Sequence, residues 1–247
     1  QIRYRVSTWE IKSDKNSQTF AANKKHFAQL LQELNANLAL AFSEGEPKHL
    51  QRHSEQGKKR ARERIDLLMD PGSFYLELMP LAGFGQEGGA AVGASLVTGI
   101  CLVQGRLCLV IANVPTIKGG AINKWTLQKM LRAGEIANEN ALPVVYLVES
   151  AGADLTQQAE IYNYGGAEFR EMTRRSQQGI PTVAIVFGNS TAGGAYIPGM
   201  ADYVVMVEGK AQVFLAGPPL VKAAINEDTD AEKIRWNGNA RDSFGPL

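Results

Sequence analysis

Three glycine-rich loops have the residue types and spacing in this chain that could do chemistry. Thr116-Ile117-Lys118-Gly119-Gly120-Ala121 follows the apolar run Leu109 to Asn113, and Glu149-Ser150-Ala151-Gly152-Ala153 follows Val144 to Val148. Asn189-Ser190-Thr191-Ala192-Gly193-Gly194-Ala195-Tyr196 follows Val183 to Phe187. A single loop of this kind would signify only close packing at a turn. Three with one strand-to-glycine layout suggest a repeated device. Amides at a strand end that leads into a helix point outward, beside a partial positive charge. A pair of them makes an oxyanion hole, which stabilises charge developing on a carbonyl oxygen.

Side-chain chemistry is correspondingly thin. All three histidines, His26, His49 and His53, lie upstream of residue 70. Gly83-Phe84-Gly85-Gln86-Glu87-Gly88 has the glycines of a dinucleotide turn, yet no acid follows between Glu87 and Glu135 to take a ribose. Gly188-Asn189-Ser190-Thr191-Ala192 outlines a nucleophile elbow, but no histidine follows it to complete a triad. Lys118-Gly119-Gly120 lacks the spacing of a phosphate-binding P-loop. Cys101 and Cys108 sit in apolar runs without further His or Cys nearby. They read as two buried thiols in a reducing compartment, and no metal site is expected. If the core does chemistry, backbone groups must do much of it.

Composition agrees with a soluble globular chain. The net charge is +1, which gives no field to draw nucleic acid or an anionic membrane. No apolar run approaches the roughly 20 residues of a membrane-spanning helix. Gln1 is no translation start, so the numbering begins inside a longer product, and no secretory signal is visible.

The elements that must position the loops alternate in type. Thr19 to Phe42 has helical spacing, with Phe20, Phe27, Leu30, Leu31, Leu34 and Leu38 on one stripe. A basic stretch from Lys48 runs into a second short helix ending at Met69, stopped by Asp70-Pro71-Gly72. Strands are expected at Phe74 to Met79, and at Leu96 to Val103 with Arg106 to Asn113, joined at Gln104-Gly105. Further strands are Pro143 to Val148, Pro181 to Phe187, Tyr203 to Val207 and Gln212 to Leu215. Helices are expected at Asn123 to Asn140, Ala167 to Gln178, Ala192 to Met200 and Pro218 to Ile225. Continuous apolar strands between helices indicate an α/β fold with both sheet faces covered, and the inserted strand pairs favour β-β-α repeats. The chain divides into a helical, basic arm (1–70), a catalytic-type α/β domain (71–232) and a tail (233–247).

Several runs resemble the N-terminal half of acyl-CoA carboxylase β subunits, nearest the methylcrotonyl- and geranyl-CoA carboxylase branch. They are Lys118-Gly119-Gly120, Ser150-Ala151-Gly152-Ala153, Thr191 to Pro198, Phe214 to Pro219, and the entry segment Gly57 to Phe74. The resemblance extends from about Thr19 to Glu232. It implies a crotonase superfamily fold, a spiral of β-β-α units behind an N-terminal helical arm. It implies carboxyl transfer from carboxybiotin to the α- or γ-carbon of an acyl-CoA through an enolate. Ala151 and Gly152 match the amide pair that holds the enolate oxygen. Lys118, Gly119 and Gly120 match the loop lining the CoA channel, and Gly193, Gly194 and Ala195 match a helix start beside the reacting centre. Lys58, Lys59, Arg60 and Arg64 either meet the CoA phosphates or form a solvated face with structural ion pairs. Trp125 either narrows an acyl pocket or packs in the core.

The resemblance further implies biotin borne by a partner, a biotin carboxylase and biotin carboxyl carrier subunit, and a homo-oligomer, hexameric in the family. A bacterial cytoplasm or mitochondrial matrix is the implied compartment. Asn113-Val114-Pro115, Asn123-Lys124-Trp125 and Ala151 depart from the family pattern, leaving the acyl group open. Lys233 to Arg241 resembles nothing at that point of the family. A second crotonase-like domain is expected to come from elsewhere, leaving this stretch alone catalytically incomplete. Two rival readings are a decarboxylase subunit running the transfer onto biotin and a non-catalytic acyl-CoA-binding or assembly domain.

Overall fold

The structure is a computed structural model that describes residues 14–86, 91–215, 221, 222, 226 and 228. The tail at 233–247 and most of the helix expected at Pro218 to Ile225 lie outside the described residues. The chain falls into two compact units, Gln1–Ala39 and Leu40–Leu247. In the first, the described residues form most of helix α1 (Gln18–Ser43), within a residue of the expected bounds. Ser17 Oγ accepts the Phe20 N–H at 3.1 Å and caps its start. Phe27, Leu30, Leu31 and Leu34 of its apolar stripe are exposed. No helix among the described residues is long and apolar enough to cross a membrane.

The second unit begins with two helices where one was expected, α2 (Pro47–Glu55) and α3 (Ala61–Leu68). Pro47 starts α2 because a proline lacks only an N–H that the first turn leaves unused. Glu44 docks α3. Its carboxylate accepts the Ala61 and Arg62 N–H groups at 2.9 and 3.1 Å, placing negative charge at the helix start. Arg62 then bridges Glu44 at 3.1 Å and Glu77 at 2.5 Å, tying α3 to strand β1 (Tyr75–Leu78).

A sheet forms the centre. Strands β2 (Leu96–Val103) and β3 (Arg106–Asn113) make the hairpin at the expected residues. Its turn places Gln104 and Gly105 at positive φ, and the Asp70 carboxylate accepts both of their N–H groups at 2.7 Å. The order is β1-β2-β3-β4-β5-β6, with β4 (Val144–Ser150), β5 (Thr182–Thr191) and β6 (Tyr203–Met206). The pairs β1–β2 and β2–β3 are antiparallel, and those from β3 to β6 are parallel. Alternate residues bury on opposite faces. Leu109, Ile111, Tyr146 and Val148 pack with Met130, Ala133 and Ala137 of helix α4 (Lys124–Glu139). Val110, Ala112, Val145 and Leu147 pack with Ala61 and Ile65 of α3. Cys101 and Cys108 are paired neighbours on this second face, both free and buried.

Two elements outrun the expected bounds. Helix α5 covers Gln158–Gln177, carrying Gly165 and Gly166 inside it. Each costs about 1 kcal/mol against alanine in a helix, and α5 packs against α4. Strand β5 continues four residues past Phe187 because its far end finds a new partner. Asn189 to Thr191 pair with β7 (Gln212–Phe214), while Val183 to Val186 pair with β6. The register between β4 and β5 shifts between Val148 and Ser150, so that Ser150 faces Ser190. With the Ile122 to Ala153 bridge, these displaced ends form a second strip beyond the main sheet. That strip distinguishes repeated β-β-α units from a plain doubly wound sheet.

Candidate functional site

Strands β3, β4 and β5 are parallel neighbours, so their C-terminal ends lie side by side and bring the three glycine loops together. Ligand crevices in parallel sheets form at such ends. The loops press on one another at defined points. Gly120 has φ 71°, and a Cβ there would collide with the Glu149 carbonyl oxygen. Gly152 has φ 90°, and a Cβ there would lie 2.8 Å from the Thr191 carbonyl oxygen. Glycine is therefore required at both, by conformation and by space. Two buried serines fasten the loops: Ser150 Oγ donates to Gly120 O at 2.8 Å, and Ser190 Oγ donates to Gly194 O at 2.9 Å.

The Ala151 and Gly152 amides have acceptors within the protein. Ala151 N–H donates to Gly119 O at 2.9 Å, and Gly152 N–H donates to Ser150 Oγ at 3.1 Å. Gly194 lies beside Ser150 and Ser190, and a Cβ at Gly193 would meet nothing within 4 Å. The segment Ala192–Ala195 is a 3-10 turn, leading into the five-residue helix α6 (Tyr196–Met200) in place of one continuous helix. Trp125 lies half-buried at the start of α4, where the Asn123 side chain accepts the Trp125 and Thr126 N–H groups at 2.9 and 3.0 Å.

A cavity of about 600 Å³ opens over these loops. Lys118, Gly119, Ser150, Ala151 and Asn189 line one side of it, and His49, Arg52, His53 and Lys58 line the other. Lys118 is largely exposed and stands 3.4 Å from Asp154. Of the four basic candidates on the arm, Lys58 reaches this cavity. Lys59 and Arg60 line a separate hollow of about 490 Å³ with Glu63. Arg64 is buried, 2.5 Å from Glu149, with its guanidinium 4.3 Å from the centre of the Phe187 ring. Its side chain is therefore committed to a structural ion pair.

Arg52, His49 and Glu149 also line this cavity, and the motifs did not single them out as candidates. Glu149 sits between Arg64 and Lys58, the latter at 2.6 Å. Burial works against its charge, but hydrogen bonds from Lys58 and Arg64 outweigh that and hold its carboxyl below the usual range. An acid closing the apolar run Val144 to Val148 was the available signal, since a buried carboxylate needs a partner. Among the described residues no group of three or more His, Cys, Asp or Glu is placed to hold a metal ion.

The comparisons with known proteins agree with one another. The carboxyl transferase domain family matches residues 52–238. A Mycobacterium tuberculosis protein described as a "probable biotin-dependent acyl-coenzyme A carboxylase beta2 subunit" is 54% identical over 221 residues, 90% of this chain and 41% of that protein. The mitochondrial methylcrotonoyl-CoA carboxylase beta chain of Arabidopsis thaliana is 44% identical over 225 residues, 90% of this chain and 38% of that one. The crystal structure of the Pseudomonas aeruginosa geranyl-CoA carboxylase beta subunit superposes with a TM-score of 0.77 at 38% identity, covering 96% of this chain and 44% of that one. The chain thus spans about two fifths of the length of the curated relatives it matches. The sheet, its second strip and these likenesses together give the crotonase-like carboxyltransferase fold, and the chain belongs to the carboxyl transferase domain family.

Proposed function

We propose that this chain holds the acyl-CoA side of a biotin-dependent acyl-CoA carboxyltransferase. The observation that carries the reading is the single cavity in which the three glycine loops face the cations of the arm. Arg52, Lys58 and Lys118 suit the phosphates of coenzyme A, with charge-assisted hydrogen bonds available from each. The thioester would then lie over the Ala151 and Gly152 loop. The space at Gly193 and the small residues Gly194 and Ala195 leave room for the acyl group and for biotin.

The internal hydrogen bonds of the two amides bear on how the loop would act. A neutral thioester oxygen competes with Gly119 O and Ser150 Oγ on nearly equal terms, because such bonds are worth only about 1 kcal/mol net. An enolate oxygen is charged, and bonds to it are roughly twice as strong. The amides would therefore gain more from the enolate oxygen than from the thioester, which favours the transition state over the bound substrate. Carboxybiotin, when bound, would supply the carboxyl group, and the biotin freed of it the base for the α-proton. Biotin is expected on a carrier attached to a biotin carboxylase partner, and a homo-oligomer in the bacterial cytoplasm or mitochondrial matrix is the expected setting.

The test is calorimetry of the full-length protein with coenzyme A, acetyl-CoA, methylcrotonyl-CoA and geranyl-CoA, followed by carboxyl transfer from a biotinylated carrier. Binding of at least one thioester with transfer to it is expected. Failure to bind any of them would refute the reading, and binding without transfer would favour a non-catalytic acyl-CoA-binding domain.

A further inference from the structure

The proposed site leaves Glu149 without a direct part in the chemistry, although every side of it is engaged. Its Oε1 accepts from Lys58 Nζ at 2.6 Å and its Oε2 from Arg64 Nη2 at 2.5 Å. Its N–H donates to Asn113 Oδ1 at 3.3 Å, and its carbonyl oxygen fills the space that a side chain at residue 120 would need. Across the sheet, a Cβ at Gly188 would lie 2.6 Å from its Oε1, so β5 leaves room for this carboxylate and little more. Arg64 depends on it in turn. Among the described residues Arg64 Nε and Nη1 have no hydrogen-bond partner, which leaves Glu149 and the Phe187 ring to hold a buried guanidinium.

These contacts fix the backbone from which the loop departs. The next residue is Ser150, whose Oγ accepts the Gly152 N–H, and then Ala151, whose N–H meets Gly119 O. A shift of Glu149 is thereby passed to both amides within three residues. We propose that Glu149 is a positioning residue: clamped between Lys58 and Arg64, it fixes the strand end that presents the Ala151 and Gly152 amides. The clamp links the arm to the loop, since Lys58 lines the cavity and holds Glu149 at once. The role deepens the acyl-CoA reading and rests on it for its catalytic consequence.

The test uses Gly188→Ala in the full-length protein, which crowds the carboxylate while leaving every charge in place. Hydrogen exchange of the Ala151 and Gly152 amides should quicken about tenfold, equivalent to about 1.4 kcal/mol, while that of Val144 to Leu147 in β4 stays as in the unaltered protein. Carboxyl transfer should lose about tenfold in kcat with KM for the acyl-CoA changed less than about twofold, the pattern of an interaction made in the transition state. Glu149→Asp alone shortens the side chain by one methylene and draws its carboxylate back from Lys58 and Arg64, so it should reproduce both readouts by loosening the clamp from the other side. Unchanged exchange at Ala151 and Gly152 in folded Gly188→Ala would overturn the proposal, as would unaltered exchange and kcat in Glu149→Asp. Glu149→Gln is a harsher variant, because it leaves Arg64 uncompensated, so the test rests on Gly188→Ala and Glu149→Asp. The exchange readout needs no activity, so a protein without carboxyl transfer would count against the function alone.

Discussion

Glu168 lies on α5 with its carboxylate buried, and neither of its oxygens has a hydrogen-bond partner among the described residues. Burial pushes its pKa up to about 7, the nearby Arg175 guanidinium opposes this, and Glu171 adds to it. The folded protein therefore keeps this proton to about pH 7, whereas an unfolded chain releases it near 4.5. Between those values the unfolded state binds fewer protons, so stability is highest below 4.5 and falls as pH rises through 7. At about 1.4 kcal/mol for each pH unit of separation, the loss is on the order of 3 kcal/mol. Glu168→Gln keeps the shape and removes the charge. Urea unfolding of the two proteins from pH 4 to 8 should give curves that nearly converge at pH 4 and separate by about 3 kcal/mol in favour of the variant at pH 8. Taking the difference cancels every group common to both, including Glu149 and Asp154, whose pKa values are lowered. A separation that stays constant with pH, or a variant less stable at pH 8, would refute the reasoning.

Other substitutions address other parts of the molecule. Lys129 is buried, donates to Gly93 O at 3.1 Å and Leu96 O at 2.6 Å, and burial pushes its pKa down to about 7. Its unfolded state binds the extra proton between about 7 and 10.5, so the protein should gain stability as pH rises across that range, and Lys129→Met should abolish the gain in the same urea titration. Ala94 and Ser95 between its two acceptors both have φ 55°, and Lys129→Met should also cost about 1–3 kcal/mol at pH 9 by removing a buried donor from Leu96 O and from Gly93 O, which keeps only the Leu96 N–H at 3.2 Å. Arg52→Met should weaken binding of an acyl-CoA about five- to tenfold at low salt, and less at high salt, while sparing the acyl-pantetheine that lacks the outer phosphates. Calorimetry with the two ligands separates those outcomes, and equal losses for both would remove Arg52 from the phosphate end.

Local order was readable where local residues impose it. The β2–β3 hairpin is set by two continuous apolar runs and a two-residue turn ending in Gly105, and it folds at the expected positions. Leu109 to Ala112 and Val144 to Val148 are all buried and alternate between the two core faces, which follows from a sheet covered on both sides, as continuous apolar runs imply. Asn123 caps α4 through its own side chain, and α1 keeps its helical spacing to within a residue at each end. The far end of β5 was not readable, because Gly188 to Thr191 has turn composition and becomes strand only through β7.

At the cavity, the sequence alone determined which loops carry amides and glycine, and it placed Lys118, Gly119, Gly120, Ala151 and Gly152 among them. Only tertiary structure decided which acceptors those amides meet. It also decided that Lys58 faces the cavity while Arg64 is buried against Glu149. The physical reason is separation along the chain: the Lys58 and Arg64 contacts join residues 91 and 85 positions apart. Hydrophobic periodicity is written within a few neighbouring residues. The pairing of two buried charges exists only once the sheet has brought their strand and helix together.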